Sequence, residues 1–225
     1  KNIVVPSDAD YLHYTSNNTI FGTQFKEVPK TDSLLICDMS SDIFSKPIDV
    51  SKYDMIYAGA QKNLGPAGST LYIVKKEVLG KTGRTLPSML DLNTHIKKDS
   101  MFNTPPVFPI YVNMLTLQWL ESIGGVKEMA KINQQKATTL YAEIDRNPLF
   151  RGVVDTEDRS EMNVTFVLTD DQYQERFDQL WKAANISGIK GHRSVGGYRA
   201  SIYNALPLEG VQALVDVMKE LETKA

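Results

Sequence analysis

The chain has 225 residues, room for one large domain or two small ones. Its 25 Lys and Arg against 27 Asp and Glu leave a net charge of −2, which argues against a dedicated nucleic-acid binder. A single cysteine, Cys37, excludes an intrachain disulfide, and a reducing compartment is its easier home. No apolar run approaches the ~18 residues of a membrane-spanning helix, and the opening Lys1–Pro6 is too short for a signal peptide.

In chain order, three short apolar runs come first, at 33–37, 54–58 and 70–74. Bounded by turn residues, they read as strands buried on both faces within one sheet of an α/β or α+β domain. Residues 78–106, with Pro87, Asn93, Asn103, Pro105 and Pro106, read as a long loop. A helix follows over about 109–121, with Leu115, Trp119 and Leu120 on one side, and Gly124-Gly125 breaks it. A longer helix spans about 126–147. Met129, Ile132, Leu140 and Ile144 fall near helical spacing in it, and Lys136 is the polar interruption. Beyond Pro148, residues 162–168 alternate like a half-buried strand, 170–184 are helix-like, and 198–203 read as a strand. Pro207 then opens a closing helix to about Leu221. The predicted β-α-β-β-α order makes a small α+β domain from about 150 to the end, joined by the long helix to the first part. The division is therefore 1–125, 126–149 and 150–225.

Four segments could carry chemistry. In Tyr57–Gly68 a strand runs into a turn of small residues that holds one lysine, Lys62. Small residues let a planar ligand approach the backbone, and a partly desolvated lysine can attack a carbonyl. The bland alternative is a solvated turn lysine. The loop lacks the Gly-Lys-Ser/Thr ending of a phosphate-binding P-loop. Asp38 ends a buried strand, where a carboxylate faces the crevice of an α/β sheet and can pair with a cationic ring nitrogen, or can simply cap Ser40-Ser41. Between Lys190 and Arg199, four cationic side chains (Lys190, His192, Arg193, Arg199) alternate with glycines, a pattern suited either to an acidic small molecule or to a basic surface hairpin. Arg199 is the sharpest of them, since it opens an apolar strand where an idle charge is costly. Asn103 and Thr104 either donate to a phosphate or brace Pro105-Pro106. Cys37, Trp119 and Trp181 read as core, His13 and His95 have no partner signature, and three scattered histidines make a metal site unlikely in this pattern.

Joined together, YAGAQKNLGPAG (57–68), SMFNTPP (100–106), KINQQK (131–136) and GHRSVGGYRASIYNALP (191–207) resemble the phosphoserine aminotransferases. These form a pyridoxal-phosphate family within the fold-type I superfamily. Asn17–Ile20 and Asp38–Ser41 fit as well, and the resemblance spans almost the whole chain in one order. It implies part of a large α/β cofactor domain, with a mainly parallel sheet, plus a small C-terminal α+β domain. It implies that Lys62 forms the Schiff base with pyridoxal 5'-phosphate and shuttles the proton. Asp38 then pairs with the pyridine nitrogen, Thr19 with the ring hydroxyl, and Gln61 with the cofactor phosphate. Asn103 and Thr104 reach the partner's cofactor phosphate across a homodimer interface. His192 and Arg193 bind the substrate phosphate, and Arg199 grips the α-carboxylate.

The implied reaction moves an amino group from L-glutamate to 3-phosphohydroxypyruvate, a phosphorylated 2-oxo acid. It serves serine biosynthesis, and in some bacteria pyridoxine biosynthesis, in the cytoplasm. The family also carries a substantial portion ahead of the point matching Lys1, so the resemblance is to its C-terminal part and the chain alone is expected to be a poor catalyst. Two other readings compete: a non-catalytic dimerisation or interaction module, and a small-anion-binding domain built on the 190–199 segment.

Overall fold

The computed structural model describes residues 5–224, so most of the short apolar opening lies outside the described residues. Three strands, β1 (Tyr11–Thr15), β4 (Leu34–Asp38) and β5 (Met55–Gly59), run parallel, and β6 (Thr70–Val74) closes the edge antiparallel in the order β1-β4-β5-β6. A two-stranded ribbon, β2 (Asn17–Asn18) with β3 (Thr23–Gln24), leaves the end of β1. Leu35, Cys37, Ile56 and Ala58 alternate onto one face of the sheet and are buried with Tyr14, Met39, Ile43 and Tyr53.

The strands are thus buried on one face, not on both as the apolar runs predict. Their other face carries Tyr11, His13, Asp38, Tyr57 and Tyr72, and stays half open. The departure is largest in β6, an edge strand with no buried residue, where Tyr72 is 49% exposed.

The expected loop of 78–106 holds one short helix, α1 (Leu92–Ile96), and two single 3₁₀ turns. Helix α2 (Val107–Ser122) is apolar on nearly every side, yet only Leu120 is buried. Trp119, expected in the core, is 37% exposed, because α2 meets the rest of the molecule only along a narrow side, against α3 and, through Pro109 and Asn113, the 65–69 loop. Helix α3 (Gly125–Arg146) is introduced by Gly124 at φ 105°, a backbone state that strains any side chain. Its buried stripe of Met129, Asn133, Lys136, Ala137, Leu140 and Ile144 recurs at helical spacing.

A second core follows. An antiparallel sheet, β7 (Phe150–Gly152), β8 (Asn163–Leu168) and β9 (Tyr198–Ser201), is covered by α3, α4 (Gln174–Ala183) and α5 (Leu208–Lys224). The element order is β-β-α-β-α rather than the expected β-α-β-β-α, because β7 and β8 pair directly before α4 begins. Phe150, Phe166, Phe177 and Tyr198 pack edge-to-face or stacked, with the Phe177–Tyr198 centroids 4.9 Å apart. Trp181 is buried here, as expected.

β8 is buried on both faces over 163–166, not half-buried, since the 17–23 segment lies across its second face. Gly22, at φ 73°, makes that crossing possible: a Cβ there would stand 2.5 Å from Thr165 Oγ1. Among the described residues no helix is long and apolar enough to cross a membrane, and no cluster of three His, Cys, Asp or Glu could hold a metal.

Candidate active site

The C-terminal ends of the parallel strands set the site, as the right-handed connections of an open sheet dictate. Asp38 is the last residue of β4 and lies opposite Tyr57 on β5. Its Oδ1 accepts from the Ser40 backbone N–H at 2.8 Å, and the Ser40 hydroxyl accepts from Gly59 N–H at 3.0 Å, which fastens the two strand ends together. After Gly59 the chain turns at once. Leu64 and Gly65 donate to the Ala60 carbonyl at 3.1 and 2.8 Å, closing a loop that presents Gln61, Lys62 and Asn63. Gln61 folds back on Gly59, where a Cβ would sit 2.7 Å from its Oε1.

Lys62 is half-buried and its Nζ has no hydrogen bond or ion pair among the described residues. Burial lowers its ammonium below the ordinary lysine range. Asp38 opposes that shift, Arg199 adds to it, and Asp42 opposes it weakly. One carboxylate and one guanidinium, brought from β4 and β9, therefore sit in the field of one amine.

Arg199 enters from the second sheet. Its Nη1 donates to the Thr19 carbonyl at 3.0 Å, while its Nε is buried with no partner. A buried guanidinium N–H left open is costly, and it is the arrangement that an incoming carboxylate satisfies. Beside it a cavity of about 530 Å³ opens between Ile20, Phe21, Thr165, Gly191 and Gly196. Thr19 thus stands beside Arg199 through its backbone.

The remaining predicted residues are distributed otherwise. His192 is half-buried, and its Nδ1 accepts from the Ser194 backbone N–H at 3.3 Å and lies 2.7 Å from the Ser194 hydroxyl. Arg193 is exposed on the same loop. Lys190 is already committed: its Nζ pairs with Asp178 Oδ2 at 2.7 Å, and Asp178 Oδ1 also accepts from Trp181 Nε1 and Tyr198 OH. Asn103 and Thr104 are exposed, and the Asn103 amide bonds only the Thr104 carbonyl among the described residues. The fold of a single chain does not bring these two to Lys62.

Three features escape sequence reading. Asp42 is buried four residues past Asp38, with burial raising its carboxyl above the usual range; Ser16 Oγ and Gln24 Nε2 donate to it. His13, which carries no partner signature in the sequence, lies 3.0 Å from the Tyr57 hydroxyl. Finally, Asn63, Asn133 and Asn204 form a buried chain: Asn63 Oδ1 accepts from Asn204 N–H, and Asn204 Oδ1 from the Asn133 amide. The clustered polar residues of DMSSD (38–42) and the asparagine beside Lys62 were the available signals.

Comparison with known proteins fits this arrangement. The aminotransferase class-V family model matches residues 3–214. A curated relative, the phosphoserine aminotransferase of Flavobacterium johnsoniae, is 65% identical over 224 residues, covering 100% of this chain and 63% of its own length. Among solved structures, the phosphoserine aminotransferase from Bacillus circulans subsp. alkalophilus superposes with a TM-score of 0.94 at 44% identity, over 99% of this chain and 62% of that one. The structure described as PLP-bound phosphoserine aminotransferase from Trichomonas vaginalis superposes at 0.90 with 38% identity, over 96% and 62%. The chain thus spans a little under two thirds of the relatives it matches.

Proposed function

The chain belongs to the aminotransferase class-V family, and from that premise we propose that the protein is a pyridoxal-phosphate-dependent phosphoserine aminotransferase. It moves the amino group of L-glutamate to 3-phosphohydroxypyruvate, giving O-phospho-L-serine and 2-oxoglutarate. The observation that carries this reading is the free, burial-lowered amine of Lys62 in the joint field of Asp38 and Arg199. It favours an enzyme over an interaction module because Lys62, unlike the buried Lys136 that holds three carbonyls, has no structural partner among the described residues to account for its burial.

The residues present fit the cofactor: a nucleophilic amine, a carboxylate on the adjoining strand end, a turn of small residues with the Gln61 amide folded over Gly59, and an orphaned guanidinium N–H. Bound pyridoxal phosphate supplies an electron sink for charge developing on the substrate carbon. Lys62 Nζ would hold the cofactor at its carbonyl carbon, with water released, and would move a proton between two carbons; burial and Arg199 keep more of it neutral than on a surface lysine. Asp38, fixed by Ser40, holds the proton of the ring nitrogen. Thr19 would hold the ring hydroxyl and Gln61 the cofactor phosphate. Arg199 takes the α-carboxylate with Nε, while Nη1 stays anchored on Thr19. The free His192 Nε2 and the exposed Arg193 receive the substrate phosphate.

The protein works as a homodimer in the cytoplasm. Asn103 and Thr104, exposed ahead of the largely exposed apolar helix α2, reach the neighbouring cofactor phosphate. Serine biosynthesis is its pathway, with pyridoxine biosynthesis a second use of the same site. The proposed division is 1–125, 126–149 and 150–225; one core lies within the first part, and α3 packs Ala137, Leu140 and Ile144 into the core of the third.

The test is spectroscopic. Pyridoxal phosphate added to the protein should give a lysine-dependent visible band that glutamate converts, and Lys62→Ala should remove it. An identical band in Lys62→Ala would reassign the nucleophile.

A further inference from the structure

The open face of the first sheet carries an arrangement that the proposed reaction does not use. In register, Asp38 on β4 lies opposite Tyr57 on β5, and Tyr57 lies opposite Tyr72 on β6. His13 on β1 projects onto the same face, one alternation before Thr15, which is the register partner of Asp38. The His13 Nε2 is 3.0 Å from the Tyr57 hydroxyl, and the two rings lie nearly parallel, 18° apart with centroids at 5.9 Å. Tyr57 and Tyr72 pack with centroids 6.3 Å apart, holding the phenol from its other side. A tyrosine held between the Tyr72 ring and the His13 imidazole, with its hydroxyl bonded to that imidazole, has little freedom to point elsewhere.

We propose that His13 and Tyr57 are positioning residues for Asp38: the His13 Nε2–H donates to the Tyr57 oxygen, and the Tyr57 hydroxyl donates to the Asp38 carboxylate. The inference rests on the cofactor reading of Asp38 and deepens it. Asp38 then has two donors, the Ser40 backbone N–H and the Tyr57 phenol, which fix its rotation and leave its outer lone pairs for a cationic nitrogen. The electrostatics agree. The Tyr57 phenol is raised above its usual range, first by burial, then by the Asp38 charge and by a hydrogen bond to that carboxylate; Tyr72 and Cys37 are its other titratable neighbours. Lys62 and Asp42 also lie in the field of Asp38.

The consequence concerns proton placement. A hydrogen bond from Tyr57 takes up part of the carboxylate's charge, so Asp38 pulls less on the proton of the ring nitrogen it faces. Without the phenol, the carboxylate draws that proton closer. The nitrogen becomes less cationic, and the Lys62-linked nitrogen conjugated to it becomes more basic. Tyr57 therefore sets the pH at which the lysine-linked cofactor changes colour, and His13 does so through Tyr57.

The experiment compares Tyr57→Phe, His13→Ala and His13→Gln with the unmodified protein, each loaded with pyridoxal phosphate. Two readouts serve besides activity: the pH midpoint of the visible band and the rate of cofactor loss on dialysis. Tyr57→Phe should raise the midpoint by about 0.5–1 pH unit and speed cofactor loss several-fold. His13→Ala, at an exposed position, should shift it the same way by less. His13→Gln, whose amide also donates, should restore most of the difference. Midpoints that coincide in all four proteins would overturn the relay and leave the cofactor reading intact. A wild-type protein with no lysine-dependent band would overturn the cofactor reading and the relay with it.

Discussion

Lys136 is the polar interruption in the apolar stripe of α3, and replacing it with methionine is a strong test of how the second core is held. Its side chain is wholly buried, and its ammonium donates to the carbonyls of Ile202, Tyr203 and Leu206 at 3.0, 2.8 and 3.0 Å. Those carbonyls belong to the connector between β9 and α5, three residues beyond Arg199. Methionine preserves the volume and removes all three donors. Hydrogen bonds from a charged donor contribute about 1.5–3 kcal/mol each. Against them stands the cost of burying the charge, which pulls the group down to about 8 from 10.5. That cost is about 3 kcal/mol at neutral pH. The balance leaves Lys136→Met less stable by about 1–6 kcal/mol at pH 7.

The pH dependence fixes the sign. A lysine lowered on folding gives up its proton in the folded state first, so between about pH 8 and 10.5 the unfolded chain binds more protons and stability rises with pH. Urea midpoints of both proteins at pH 7 and pH 9.5 measure this. The gap between wild type and Lys136→Met should widen at pH 9.5 by about 2 kcal/mol. Equal midpoints at pH 7, or a gap that narrows as pH rises, would refute the argument that the three carbonyl bonds outweigh the buried charge.

Two further outcomes are expected. Arg199→Ala should weaken binding of both the dicarboxylate and the phosphorylated substrate by about 2–5 kcal/mol, read as their dissociation constants by isothermal calorimetry; unchanged affinity would remove Arg199 from the site. Phe177→Ala should destabilise the protein by about 3–5 kcal/mol in urea unfolding, because the ring is fully buried between Phe150 and Tyr198 and the aromatic cluster cannot close over the hole.

Much of the fold is readable from the sequence where one segment carries its own pattern. The apolar runs ending at Cys37 and Ala58 become β4 and β5, and the helical spacing of Met129, Leu140 and Ile144 becomes the buried stripe of α3. What escapes depends on neighbours. β1 contains His13 and Thr15 on its open face and lacks an apolar run, so only pairing with β4 makes it a strand. β6 has the stronger strand composition, yet ends on the edge with both faces exposed. β8 looks half-buried because its second face holds Asn163 and Thr165, whose polar groups are satisfied by Asn17 and the Phe21 carbonyl from the other end of the chain. The same holds at the site. Lys62, Asp38 and Arg199 stand out singly by residue type and local context. Asp42 does not, since the donors that make its burial tolerable, Ser16 between β1 and β2 and Gln24 in β3, lie 26 and 18 positions away.

Those distant partners also explain how two cores can share one site. Asn63 follows Lys62 directly; its amide donates to the Ile43 carbonyl at 3.1 Å, and its oxygen accepts from Asn204 N–H at 3.0 Å. Asn204 in turn donates to the Phe44 carbonyl and accepts from Asn133, which also donates to the Ser45 carbonyl. The loop after β4, the turn of Lys62, the middle of α3 and the end of β9 are therefore joined by amide pairs buried from water. Asn63 and Asn204 each donate and accept at once, Asn133 donates twice with its buried Oδ1 unpartnered, and the neutrality of the amides avoids the penalty of a buried ion pair. Arg199, five residues before Asn204, is positioned by a strand whose exit is fastened to the very turn that carries the amine it acts beside. On this geometry, amine and guanidinium hold their relation through the asparagine chain and Lys136, with no direct contact required between them.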